Sequence, residues 1–259
     1  MTHKLNGILI VFFSHYFFGM KKNPIKIDVI ILSYAQTQNL KLITENCLTS
    51  LATSEDPQLI ELNIVTIESE KTNKSDPYKY GTTIYPETEF GYHKYMNLGL
   101  GITSSRFVCL CNNDLIFHYG WASEILKAFS RYPELSSASP MCVKHHVNMG
   151  FQPFTGIYPG YRIRYEISGW CLFLKRDVFR ITGKLDENFN FWCADNDYAN
   201  TLSVLNIKHA LVSSSLVDHL ETQTLKHQSS ERQYELTEKI DAYYEKKWYP
   251  RLGENWIQL

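Results

Sequence analysis

The sequence predicts an α/β domain: a mostly parallel central sheet flanked by helices. Three observations carry this. Short continuous apolar runs recur between turn residues, which is how strands buried on both faces read. Between them, apolar residues return at helical spacing. The two patterns alternate through the first half of the chain, the order that gives a parallel sheet covered on both sides.

Taken in order, Ile27 and Val29–Leu32, bounded by Pro24 and Ser33, form the first strand. Leu40, Ile43, Cys47, Leu48 and Leu51 mark a helix. Leu62, Ile64, Val65 and Ile67 give a second strand that ends in Glu68, Ser69 and Glu70. Lys71 to Thr88 is polar, carries Pro77, Gly81 and Pro86, and reads as a loop. Tyr92, Tyr95, Met96 and Leu100 suggest a helix interrupted by Gly99 and Gly101. Phe107–Leu110 is the next buried strand and runs into Asn112-Asn113-Asp114; Trp121, Ile125, Leu126 and Phe129 then share a helical face.

The second half is less regular. Met141 to Glu166 mixes Pro, Gly, aromatics and bases and reads as a long functional loop. Trp170–Leu174 is a short strand, Phe191–Leu205 opens acidic and continues as a helix, and Ala210–Val212 is a short strand before Asp218-His219. Glu231–Lys247 has mixed charge at helical spacing and leads into Trp248 and Tyr249. No repeat or linker divides the chain, so the expected organisation is an apolar extension over residues 1–20 and one domain over 21–259. The extension is too short for a membrane helix and lacks a secretory cleavage site. It reads as a packed element, a membrane-surface segment, or upstream sequence ahead of a second start at Met20.

Composition removes some functions. A net charge of −1 gives no global field for nucleic acid or acidic membranes. The six cysteines form no CxxC pair, and Cys109 and Cys111 share one strand face, so they read as buried free thiols in a reducing compartment. The expected location is cytoplasmic, with no transmembrane span and with possible peripheral membrane contact through residues 1–20.

Chemistry is expected beyond the carboxyl ends of the strands. Ser33-Tyr34, Glu68 and Asn112-Asn113-Asp114 stand there. A carboxylate leaving an apolar strand needs a partner, and a hard divalent cation such as Mg2+ or Mn2+ is one. Asp195 and Asp197 open a helix after Phe191-Trp192, and His219 follows the last short strand.

In this order the motifs resemble the inverting glycosyltransferases of family two, which have the GT-A fold. The matching stretches are IDVIILSY, IVTIES, GYHKYMNLGLG, FVCLCNNDLIF, ISGWCLFLKRDVFRITGKLDENFNFWCADNDYA and VDHL, with a weaker echo in YYEKKW. The resemblance implies donor contacts at Ser33, Tyr34, Glu68, Asn97, Asn112 and Asn113. It implies Mn2+ or Mg2+ on Asp114 and His219, with Asp195 as catalytic base. It frames the acceptor with Gly169 and Trp170, and Asp197, Arg162 and Arg164 are further acceptor candidates. The family's Glu-Asp pair reads Ala194-Asp195 here, and the Asn usual after the first strand is replaced by Ala35-Gln36.

The expected function is transfer of a sugar from a nucleotide-diphosphate donor, UDP-linked by the resemblance, to a hydroxyl. Bases and rings between Lys144 and Arg164 suit a phosphate-bearing or stacked acceptor. A glycan, a lipid-linked sugar and a hydroxymethylated base of viral DNA all remain open. The rival class is a non-catalytic nucleotide-sugar or glycan-binding protein on the same fold, which the absent Glu favours. A nucleotidyltransferase would need a Gly-rich phosphate loop, and Ala35-Gln36-Thr37-Gln38 is none.

Overall fold

A computed structural model of the chain describes residues 23–220, 229–231, 234 and 241–253. The apolar extension over 1–20 and the first part of the expected Glu231–Lys247 helix lie largely outside the described residues. Among the described residues the sheet has nine strands: β1 (Ile25–Ser33), β2 (Ile60–Glu68), β3 (Thr82–Ile84), β4 (Phe107–Asn112), β5 (Leu115–Phe117), β6 (Leu135–Met141), β7 (Ile157–Pro159), β8 (Cys171–Lys175) and β9 (Lys208–His219). They lie in the order β3-β2-β1-β4-β8-β6-β9-β5, with β7 also on β9. β1, β2, β3 and β4 pair in parallel, β8 turns back between β4 and β6, and β9 pairs in parallel with β6. All but β8 and the short β5 and β7 therefore run one way.

The helices are α1 (Gln38–Ala52), α2 (Tyr92–Ile102), α3 (Trp121–Arg131), α4 (Val143–His146), α5 (Val178–Thr182), α6 (Ala194–Val204) and α7 (Asp241–Leu252). Alternation along β1 decides which side each covers. Ile27, Val29 and Ile31 pack with Cys47, Leu48 and Leu51 of α1 and with Trp121, Ile125 and Phe129 of α3. Ile30 and Leu32 face Tyr95 and Met96 of α2 and Tyr198, Ala199 and Leu202 of α6. Each such aliphatic side chain contributes about 1.5–3 kcal/mol on full burial, so the two clusters fix the three-layer arrangement. All six cysteines are buried free thiols. Among the described residues, no helix is long and apolar enough to cross a membrane.

Gly99 does not break α2. A Cβ there would stand 2.5 Å from Ile30 Cγ2, so the missing side chain lets α2 lie directly on β1.

The second half is more regular than its composition suggests. β9 spans twelve residues where only Ala210–Val212 looks apolar. β6, with sequence LSSASPM, is almost wholly buried. Its hydroxyls carry the polarity: Ser137 Oγ bonds Tyr198 OH at 2.6 Å and His209 Nδ1 at 2.8 Å, and Ser139 Oγ accepts from the Ser168 N–H at 3.0 Å. Burial holds the His209 imidazole neutral, with its pKa lowered to about 4.

Candidate active site

The parallel strands β1, β2 and β4 end side by side, and a buried polar network joins their ends. Ser33 Oγ lies 3.0 Å from Thr44 Oγ1 of α1 and 3.1 Å from Tyr78 OH. Asn113 Nδ2 donates to Thr44 Oγ1 at 2.7 Å, and the Tyr78 hydroxyl donates to Glu68 Oε2 at 2.6 Å. Glu68 is fully buried, and its Oε1 accepts the N–H groups of Ala35 at 3.1 Å and Glu70 at 2.7 Å. A buried carboxylate needs such donors. Glu68 is thus a strut that shapes the turns after β1 and β2. Burial, followed by the Glu68 charge, pushes the Tyr78 phenol well above its ordinary value, so it stays a donor. Thr44 and Tyr78 belong to this network, and sequence reasoning missed both. The available signal was a Thr on the core-facing stripe of α1, between Leu40 and Leu48. Tyr34, just after β1, is half-buried, and its hydroxyl accepts from Gln36 Nε2 at 2.8 Å.

Asn113-Asp114 forms the tight turn from β4 into β5. Antiparallel pairing puts Leu115 opposite His219, and the Leu220 N–H donates to the Asp114 carbonyl at 2.9 Å. That register brings His219 Nε2 to 3.4 Å from Asp114 Oδ1. Asp114 Oδ1 is buried and has no hydrogen-bond partner among the described residues. An orphaned buried carboxylate oxygen beside an imidazole nitrogen fits a divalent cation. Among the described residues no third His, Cys, Asp or Glu completes a cluster. The remaining ligands would come from water and a diphosphate, as is usual where Mg2+ meets nucleotides.

Trp170 joins this corner to the other acidic position. Its ring stacks on His219, with centroids 4.6 Å apart and planes 14° from parallel, and its carbonyl accepts the Asn112 N–H at 3.0 Å. Gly169, the residue before, backs directly onto Asp195: a Cβ there would lie 2.5 Å from Asp195 Oδ2. The Tyr92 hydroxyl donates to Asn112 Oδ1 and to the Gly169 carbonyl, both at 3.3 Å. Tyr92 is a further site residue not foreseen in the sequence, where it read only as an apolar helix position. Asp195 is held by the Asn196 N–H at 3.0 Å. Burial raises its pKa above the ordinary carboxylate value, against the lowering effect of nearby N–H groups and of Arg164. Two backbone outliers flank it: Cys193 at φ 58° and Arg164 at φ 66°. Each costs on the order of 1 kcal/mol. The αL entry at Cys193 also explains why Phe191-Trp192 stay outside the helix, which begins at Ala194.

The other foreseen residues are placed elsewhere. Asn97 clamps α2 to the loop before α6, giving Nδ2 to Leu185 O at 2.8 Å and Glu187 Oε1 at 3.0 Å, and taking the Leu185 N–H at 3.0 Å. Asp197 turns to α7, bonded by Lys247 Nζ at 2.6 Å and Trp248 Nε1 at 2.9 Å. Arg162 is spent on the buried Glu166. Ala194, where the family has Glu, is buried with Phe189, Cys193, Tyr244 and Trp248. A Glu there would put a charge among those rings.

This is the architecture of the GT-A fold. Three solved structures share it. They are S. aureus TarS 1-349 (15% identity, TM-score 0.53, covering 74% of this chain and 59% of that one), GalNAc-T7 with UDP, GalNAc and Mn2+ (11%, 0.56, 75% and 43%), and the mannosyltransferase PcManGT from Pyrobaculum calidifontis in complex with GDP-Man and Mn2+ (12%, 0.56, 78% and 59%). The chain therefore spans roughly half the length of these structures. No protein-family model and no curated protein matches the sequence.

Proposed function

We propose that the chain is a metal-dependent inverting glycosyltransferase of family-two type, moving a sugar from a nucleotide-diphosphate donor, UDP-linked in the first instance, to a hydroxyl acceptor. The observation that carries this reading is the run Asp114–His219–Trp170–Gly169–Asp195. It sets a carboxylate oxygen with no hydrogen-bond partner among the described residues at one end and a half-buried carboxylate with a raised pKa at the other. Both parts are what in-line displacement of a nucleotide diphosphate requires. The cations in two of the GT-A structures support the same assignment.

In this mechanism Asp114 and His219 would hold the cation, which when bound offsets the negative charge growing on the leaving diphosphate. Tyr34, next to Ser33, would offer a ring to the base, and the Ser33–Thr44–Asn113 network keeps the strand ends fixed. Asp195 accepts the proton of the acceptor hydroxyl as that oxygen attacks the anomeric carbon from the face opposite the leaving group. Its raised pKa makes it a better base than a solvated carboxylate. Gly169 leaves room for the carboxylate, and Trp170 lines the space between the two halves. Holding both substrates in line removes much of the entropic barrier.

The test is a screen of nucleotide-sugar donors with Mn2+, scoring release of free nucleotide diphosphate, with Asp195→Asn alongside. The expected outcome is release with at least one donor, abolished in D195N while donor affinity is retained. Equal rates in D195N and parent would overturn the base assignment. Silence with every donor, even with acceptor extracts added, would favour a nucleotide-sugar-binding protein instead.

A further inference from the structure

The turn carrying Arg164 is more tightly built than a surface turn needs to be. Arg164 sits at φ 66°, a conformation L side chains rarely adopt. Its N–H donates to the Ile167 carbonyl at 2.8 Å, and its own carbonyl pairs with His145 Nε2 at 2.7 Å. The Arg162 N–H donates to the buried Glu166 at 3.0 Å, and the Ile167 N–H to the Arg162 carbonyl at 3.0 Å. These bonds fix the backbone from which one exposed side chain projects. The neighbouring Arg162 is neutralised by Glu166 and lies over the Tyr165 ring at 4.4 Å. The Arg164 guanidinium has no carboxylate within ion-pair distance among the described residues. His145, which holds it, packs edge-on to Trp170 at 5.1 Å, and the adjoining Gly169 touches Asp195. A cation without an ion-pair partner among the described residues thus projects from a backbone anchored beside the proposed base, and its charge is felt at Asp195.

We propose that Arg164 is an anion-binding residue of the acceptor subsite, so that the acceptor carries a phosphate-ester or carboxylate group close to the hydroxyl that receives the sugar. The inference rests on the glycosyltransferase reading, because Asp195 marks where that hydroxyl lies. The planar guanidinium takes two oxygens of either anion at once. The competing anion is the donor's own diphosphate. The acceptor is favoured because the Arg164 backbone is bonded to His145 and Ile167 and its charge acts on Asp195. None of these interactions reaches Ser33, Thr44, Glu68, Tyr78 or Asn113.

The full chain is titrated with glycerol 3-phosphate and with glucuronate, using glycerol and glucose as neutral controls, and binding is read by calorimetry. Arg164→Asn, whose new residue tolerates the left-handed backbone, and Arg164→Lys are compared with the parent. At least one anion binds the parent while the neutral controls do not. R164N weakens that binding roughly ten- to hundred-fold, R164K by less, and Mn2+-UDP affinity is unchanged in both. Equal anion affinity in R164N and the parent overturns the proposal. So does a matching loss of Mn2+-UDP affinity, which would assign Arg164 to the donor diphosphate. Anion binding that depends on Arg164 with no donor ever turned over sinks only the glycosyltransferase reading. Donor turnover together with equal anion affinity in R164N and the parent sinks only the anion site.

Discussion

Gly169→Ala puts one methyl group where the structure has none to spare. The new Cβ would stand 2.5 Å from Asp195 Oδ2 and 2.6 Å from Asp195 Cβ. Carbon atoms in contact sit about 3.5–4.0 Å apart, so one partner must move by roughly 1 Å. Gly169 is the less able to give way. Its carbonyl accepts from Tyr92, and the next residue is stacked on His219 and bonded to Asn112. The Asp195 carboxylate, tied by the adjoining Asn196 N–H, is the part that shifts. Overpacking of this size costs about 1–3 kcal/mol, which for a chain of this length lowers Tm by roughly 2–12 °C. A base displaced by about 1 Å loses on the order of a hundredfold in rate. The assay is nucleotide-diphosphate release under saturating donor and Mn2+, with thermal unfolding in parallel. A G169A variant that keeps the parent rate, while D195N is inactive, would show that the carboxylate need not sit where the structure puts it.

Asp114→Ala removes the metal-dependent part of donor affinity; calorimetry should give equal, weak UDP binding with and without Mn2+, and a retained Mn2+ effect would move the cation elsewhere. The acid limb of kcat/KM should lie above the ordinary carboxylate range. Burial raises the Asp195 pKa, and a protonated carboxyl cannot accept the hydroxyl proton, so activity falls as pH drops through the raised value. Arg164 opposes that rise, so R164N should move the limb to higher pH, and a downward shift would contradict the placement. Lys247→Met leaves the buried Asp197 carboxylate without its cation. At about 3 kcal/mol, the low end for a broken buried pair because Lys247 is partly exposed, Tm should fall by roughly 6–12 °C. A change within experimental error would mean that α7 contributes little to the hold on α6.

The sheet was legible wherever apolar side chains formed the strands. β1, β2, β4 and β8 fall where the apolar runs stand, and their carboxyl ends carry Ser33, Glu68 and Asn112-Asn113-Asp114 as expected. β6 and the far part of β9 were illegible because they are buried through serines whose hydroxyls are satisfied by Tyr198, His209, Ser168 and the Trp121 carbonyl. Hydrophobic periodicity is blind to that kind of burial. The proximity of Asp114 to His219 was legible only through resemblance, since it depends on the β5–β9 register, and β5 is three residues long. Asp197 read as a site acid because local pattern cannot see Lys247, fifty positions on, which claims its carboxylate.

That distant claim sets an order of assembly. A chain emerging from the ribosome at about 5–20 residues per second finishes the strands bearing Asp114 and His219 before α7 exists. The corner where Asp114 meets His219 closes with residues already made. The helix that begins one residue before Asp195 waits for Lys247 and Trp248 to anchor its first turn, and for Tyr244 and Trp248 to cover Ala194. Asp195 is therefore the residue of the candidate site whose helix is anchored by the latest-made part of the chain.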